Sequence, residues 1–228
     1  MKEIYENNYR DMEKVHPWFI SRAKLFLDLI PHDKESSILD FGCGSGIFLN
    51  SLHQKGYKNL DGVDISINHE SKTNPHYRIT TNIKSKKYDI ILMMDVLEHI
   101  EDDISCLRLM KKHLKPKGIL LLSVPAYNFL WSEHDVLNMH FRRYNRKSLR
   151  KVISAAQFKT SYMSNWNMTL FPFVALSRIL RRNSSPELEL TNTFLSYILR
   201  LILNFDSMLL KTVSLPFGLS IIARLEND

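Results

Sequence analysis

Cysteine is nearly absent. Cys43 and Cys106 are the only two among 228 residues, which excludes a disulfide framework and a cysteine-based zinc site. The expected setting is therefore a reducing cytoplasm. The opening residues, Met1 to Asn8, are polar and carry no hydrophobic leader, so secretion is not expected. No repeat or low-complexity tract interrupts the chain. An apolar content of 44% with 24% charged residues is that of an ordinary globular domain. At this length one domain with a helical elaboration is expected. Acidic residues are the scarcer sign, 24 against 31 lysines and arginines, for a net charge of +7. That surplus admits nucleic acid, an anionic substrate or an anionic membrane surface as partner. Most of the basic clusters, such as Lys111, Lys112, Lys115 and Lys117, suit helix C-terminal turns and solvated faces.

Glycine is scarce too, seven in all, and Gly42, Gly44 and Gly46 stand close together. They lie between the apolar run Ile38–Phe41 and Ile47-Phe48-Leu49, a pattern that reads as strand, tight turn and first helical turn. The spacing is G-x-G-x-G, whereas a dinucleotide pyrophosphate is met by G-x-G-x-x-G. Asp40, just before the turn, is a poor neighbour for a phosphate and a good one for a cationic amino-acid group. Farther on, Leu60 to Ser66 reads as a second strand ending in Asp64, whose carboxylate suits the two hydroxyls of a ribose.

The N-terminal segment is helical in period, with Trp18, Phe19, Ala23, Phe26, Leu27 and Ile30 at three- and four-residue steps between Pro17 and Pro31. Strands are then expected near 38–41, 60–64, 88–93, 119–124 and 158–164, with helices near 46–55, 102–113 and 146–156. Short apolar runs alternating with helices predict a parallel sheet covered on both faces. A last strand is expected at Gly218 to Arg224. Between it and the preceding strand lie two apolar helical stretches, about 168–182 and 191–213. On the second, Arg200, Asn204, Ser207 and Lys211 form one polar stripe. The remaining wide apolar face requires a cover: its own sheet, a twin subunit, a lipid-like substrate or a membrane surface.

The glycine turn, the acidic second strand and the segment Asp95-Val96-Leu97-Glu98-His99 together resemble the class I S-adenosylmethionine-dependent methyltransferases. V-L-E-H after the fourth strand is characteristic of many small-molecule members. The resemblance implies an α/β fold: a seven-stranded Rossmann-like sheet with helices on both faces, an N-terminal helical segment and a helical insert before the last strand. It divides the chain into a lid segment at 1–35, a cofactor-binding core at 36–165, an apolar cap at 166–216 and the last core strand at 217–228. It further implies S-adenosyl-L-methionine as cofactor and S-adenosyl-L-homocysteine as product. Asp40, Gly42, Gly44 and Gly46 would line the methionine side, Asp64 the ribose, Ile65 and Asn82 the adenine, and Asp95 the amino end.

Methyl transfer from a sulfonium needs alignment of the acceptor and, for a hydroxyl or acidic carbon, removal of its proton. The segment after the fifth strand holds the candidate bases, Trp131-Ser132-Glu133-His134-Asp135 and His140-Phe141-Arg142-Arg143-Tyr144. It resembles a bacterial methyltransferase subgroup that accompanies glycan, lipid or secondary-metabolite synthesis. His134 or His140 is the expected base, and Trp18, Arg142, Arg143 and Tyr144 the expected acceptor contacts; Trp18, Phe19, Tyr5 and Tyr9 suit an aromatic lid. No N/D-P-P-Y motif follows the fourth strand, which argues against base N-methylation. The acceptor is thus expected to be a small or lipid-linked metabolite, methylated at oxygen; carbon methylation, RNA methylation and a non-catalytic cofactor-binding scaffold are the alternatives. No nucleic-acid partner is expected, and peripheral membrane contact or a homodimer through the insert stays open. Ubiquinone-pathway O-methyltransferases use a similar acid-x-x-E-H set for a divalent ion, with Asp95, Glu98 and His99 at helical spacing here. Metal-free relatives use E-H for packing and capping, and no metal is expected.

Overall fold

The computed structural model describes residues 15–65, 74–180 and 193–227. Tyr5 and Tyr9 lie outside them. The first helix, α1 (Pro17–Leu29), starts where the sequence marks it: Pro17 occupies the first helical position and the His16 ring accepts from the Trp18 N–H at 3.2 Å. Strand β1 (Ser37–Phe41) then leads through the glycine turn into α2 (Ile47–Gln54), and β2 (Asn59–Val63) follows. Gly42, Gly44 and Gly46 all have positive φ, at 79°, 51° and 80°. This conformation is open to glycine at little steric cost.

Next come β3 (Arg78–Thr80) and β4 (Tyr88–Met94), then a single 3₁₀ turn at Leu97–His99 and the helix α3 (Asp103–His113). Strand β5 (Leu114–Pro125) starts directly after α3. A second 3₁₀ turn (Asn128–Leu130) precedes α4 (Glu133–Leu137), α5 (Arg146–Ala155) and β6 (Lys159–Trp166). Helices α6 (Phe171–Leu180) and α7 (Thr193–Leu209) separate β6 from β7 (Ser220–Glu226). The seven strands form one sheet in the order β3-β2-β1-β4-β5-β7-β6. All neighbours are parallel except β7, which runs antiparallel between β5 and β6.

Both faces of the sheet are covered, which is why its central strands read as continuous apolar runs. On β4, Ile91 and Met93 face a cluster shared with Leu107 and Met110 of α3 and Leu149 and Ile153 of α5. Ile90 and Leu92 face the opposite cluster, shared with Leu25 and Phe26 of α1, Leu49 and Leu52 of α2 and Leu203 of α7. Helix α1 thus lies across the sheet next to α7 and passes over the carboxyl ends of the strands. None of the described helices is long and apolar enough to cross a membrane.

Three expectations change. No strand is expected between 64 and 88, and the short strand β3 stands there. Asp95, Glu98 and His99 do not share an α-helical turn: Asp95 has φ 56° and only Leu97–His99 is helical, as 3₁₀. Ser207 of the polar stripe on α7 faces inward, accepting from the Trp166 indole N–H at 3.1 Å.

Candidate active site

Strand order reverses between β1 and β4, where crossover connections leave a crevice at the carboxyl ends of the strands. The glycine turn forms one wall of that crevice and is pinned from below. The N–H groups of Gly42 and Cys43 both donate to the Val63 carbonyl, at 2.7 and 3.1 Å, and the Gly44 N–H donates to the Asp64 carboxylate at 2.7 Å. The space it frames, about 350 Å³, is lined by Asp40, Gly42, Cys43 and Met94 on the sheet side and by Ile47, Phe48 and Ser51 of α2. Phe19, Arg22, Ala23 and Leu27 of α1 close it. Asp40 is buried. Ile65, just past Asp64, is 90% exposed, so an apolar surface stands open beside that carboxylate. Asn82 is exposed, with its amide directed at the Thr81 hydroxyl at 3.4 Å.

A second cavity, about 220 Å³, adjoins the first. Trp18, Phe19, Asp95, Glu98, His99, His134, His140 and Arg143 line it, with Val174 and Arg178 of α6 and Leu219 and Ser220 at the start of β7. The two spaces share Phe19. Between them Arg22 forms an ion pair with Asp95, and the guanidinium lies 4.6 Å from the Trp18 ring centre and 5.2 Å from that of Phe19. Ser123 holds Asp95 from the other side by a hydroxyl hydrogen bond of 3.0 Å.

Behind the second cavity, Asp135 is bonded to two of its lining residues, His140 and Arg143. It is fully buried and accepts from the Ser132 N–H at 2.9 Å, from Nε of Arg143 at 2.7 Å and from Nδ1 of His140 at 2.9 Å. Burial works to raise its pKa, but the His140 and Arg143 hydrogen bonds prevail and hold it below the usual carboxylate range. An ionised carboxylate only accepts, so Nδ1 of His140 is the donor in this contact and Nε2 is directed away from Asp135. Nearby, burial pushes His134 down to about 4, and burial with the neighbouring His140 lowers His99. Both imidazoles are held neutral. Burial, with Asp95 adding to it, drives the Glu98 carboxyl well above its ordinary value, and its Oε2 is buried without a hydrogen-bond partner. Ligand atoms of Glu98, His99 and His140 lie within 4.8 Å of one another, so these three side chains have the spacing to hold a divalent ion.

The structure therefore brings together Trp18, Asp95, His134, His140 and Arg143 in one cavity, and Asp40 and Gly42 in the other. Two expected acceptor contacts stand elsewhere. Tyr144 is buried and donates to Asp103 at 2.8 Å. Arg142 pairs with Asp103 at 2.8 Å and donates to the Glu101 carbonyl at 2.6 Å. Both brace α3 rather than line the cavity. Arg143 does line it, and its guanidinium is engaged by Asp135 and the Ala126 carbonyl. Asp135 partners His140, five residues on, and not its neighbour His134. Arg22 is a functional candidate that the sequence alone did not single out, and His140 stands beside Glu98 and His99 where the sequence set them with Asp95.

The family model of the methyltransferase domain matches residues 15–161. A ubiquinone biosynthesis O-methyltransferase from Hydrogenovibrio crunogenus is 28% identical over 148 residues, which cover 56% of this chain and 59% of that protein. The chain therefore spans less than two thirds of that relative's length. Among solved structures, a SAM-dependent methyltransferase from Archaeoglobus fulgidus superposes with a TM-score of 0.59 at 16% identity, covering 96% of this chain and 99% of its own. The N-methyltransferase NodS from Bradyrhizobium japonicum, in complex with S-adenosylhomocysteine, gives 0.56 at 16% identity, covering 94% and 90%.

Proposed function

The chain belongs to the methyltransferase-domain family, and on that premise we propose that it transfers a methyl group from S-adenosylmethionine to an oxygen of a small or lipid-linked metabolite. The observation that carries the reading is the Asp135-oriented His140 in a cavity that shares Phe19 with the glycine-turn space. The residues of the first space fit the cofactor. Asp40 and Arg22 line it together, a carboxylate and a guanidinium suited to the two charges of a methionine end. Asp64 stands beside the turn for the ribose, and Ile65 offers an apolar surface for the adenine. When bound, the cofactor supplies an activated methyl group on a sulfonium.

The chain's own residues do the rest. Phe19 and Trp18 exclude water above the junction of the two cavities, and alignment of the acceptor there supplies most of the acceleration expected of such a transfer. His140 Nε2 takes the acceptor's hydroxyl proton, and Asp135 steadies the imidazolium so formed. The O-methyltransferase relative supports oxygen as the acceptor atom.

A calorimetric titration with S-adenosylhomocysteine tests the first half. Tight binding is expected for the wild type and at least about tenfold weaker binding for Asp64→Ala, one charged hydrogen-bond acceptor being lost. A flat titration at millimolar cofactor overturns the reading. Incubation with methyl-labelled cofactor and separated lipid, small-molecule and RNA fractions tests the second. His140→Gln is expected to lower transfer by about 10² or more while leaving cofactor binding unchanged; label confined to RNA defeats the assignment.

A second reading is favoured by Glu98: its partnerless buried oxygen beside His99 and His140 suits a divalent ion. A metal bound by these three groups supplies Lewis-acid activation of the acceptor oxygen. Here the expected outcome is loss of transfer on chelation, restored by one divalent ion and accompanied by metal in the purified protein. Activity unchanged by exhaustive chelation, with no metal found by elemental analysis, removes this reading and leaves His140 as the base.

A further inference from the structure

Among the described residues, two arginines line the His140 cavity, Arg143 and Arg178, and they stand differently. Arg143 is occupied: Nε and one terminal nitrogen donate to Asp135, the other terminal nitrogen to the Ala126 carbonyl. Asp95, an acid that lines the same cavity, is likewise matched, by Arg22 on one side and Ser123 on the other. Arg178 forms no hydrogen bond or ion pair among the described residues. It is half-buried, and it keeps the five donors of a guanidinium fork unused by its neighbours.

Helix α6 turns this side chain inward. Val174 and Arg178, four residues apart, both line the cavity. No residue of α6 is buried, so the arginine is not there to fill a core. A cation in the last turn of a helix is favourable whichever way it points; this one points to the site. Its charge reaches across to α4: burial is the first cause that lowers the His134 pKa, and Arg178 adds to it. At Arg178 itself, burial works against the charge and Arg143 repels it, while Asp135 attracts it and offsets only part. Asp135 is already shared by Arg143 and His140. A cation is thus held partly out of water with its nearest anion already taken, an arrangement that an incoming anion completes.

We propose that Arg178 binds a carboxylate or phosphate group of the acceptor, whose hydroxyl then lies at His140. The guanidinium fork matches either oxyanion by two parallel hydrogen bonds. Leu130, Val174 and Leu219 supply apolar wall for the body of the molecule between its two polar ends. The inference rests on the reading of this cavity as the acceptor site and narrows the acceptor to an anionic metabolite. It also gives the insert before β7 a part in choosing what is methylated.

Titration of the full chain with benzyl alcohol, benzoate and phenyl phosphate, followed by ligand-observed NMR without cofactor, tests the site independently of turnover. At least one of the two anions is expected to bind about tenfold or more tightly than the alcohol, and the tighter of them separates carboxylate from phosphate. Arg178→Gln is expected to bring the anions to the level of the alcohol, whose own affinity and the melting temperature stay as in the wild type. Arg178→Lys, a point charge without the fork, is expected to fall between. Arg200→Gln, on the exposed side of α7, controls for surface charge and is expected to bind as the wild type does. Anions held no more tightly than the alcohol, Arg178→Gln binding as wild type, or Arg200→Gln losing as much, overturns the proposal. In the labelling experiment the product is expected to be retained on an anion exchanger, and Arg178→Gln to raise KM about tenfold with kcat near the wild-type value. A labelled product that passes the exchanger uncharged removes this inference and leaves methyl transfer standing. Anion preference without any cofactor binding removes the methyl-transfer reading alone.

Discussion

Asp135 has no exposed surface, and its carboxylate orients His140, the base proposed above. On a short helix, adjacent residues point about 100° apart, so His134 and Asp135 cannot serve one site as a pair. Ser132 and Asp135 form a reciprocal cap at the helix start, which turns the carboxylate toward Arg143 and His140 and leaves His134 facing the cavity unpaired with it. Asp135→Asn keeps the shape but removes the charge and one acceptor. It strands the Arg143 guanidinium, whose side chain is 10% exposed, at a cost of about 3 kcal/mol. It also frees the His140 tautomer, with an expected fall in turnover of about 10² or more. Urea midpoints and label-transfer rates measured on the one variant check both numbers. A positioning role further predicts that cofactor affinity stays near the wild-type value, and a large loss of it would contradict that role.

At the scale of elements, the glycine turn depends on a strand beneath it. A methyl group on Gly62, in the middle of β2, would stand 2.7 Å from the Cys43 sulfur and 2.7 Å from Leu49 Cδ1. Both neighbours belong to the turn and to α2. Gly62→Ala is therefore expected to push the turn outward, costing about 1–3 kcal/mol by overpacking and weakening cofactor binding by a similar energy. Denaturant unfolding and the same calorimetric titration measure the two; an unchanged affinity with reduced stability would show that the turn relaxes independently of its floor. The strong signals in the sequence were the ones that this packing writes into it. β1, α2, β4, α3 and α5 lie within a few residues of where apolar period and punctuation put them. Strand β3 left no such mark, because three partly exposed residues at a sheet edge satisfy one neighbour only. The orientation of α7 was illegible for another reason. Its polar residues answer buried donors on Trp166 and Thr169, and those requirements come from segments distant in sequence. In the site, Asp40, the glycines, Asp95 and His140 could be read from local pattern. Arg22 and the partnership of Asp135 with His140 arise only once α1 and the segment after β5 are folded over the sheet.

For the whole molecule the arrangement of β7 matters most. It lies between β5 and β6, bonded to both, and β6 has no other neighbour in the sheet. It is also the latest strand along the chain. A ribosome therefore delivers β5 with one open edge and β6 with nothing to pair, and both wait through two apolar helices before the missing ladder arrives. The glycine-turn space has all its lining residues by Met94, whereas the His140 cavity needs Leu219 and Ser220. A growing chain therefore carries every lining residue of the first space well before those of the second. Until β7 is made, the proposed acceptor cavity lacks part of its wall.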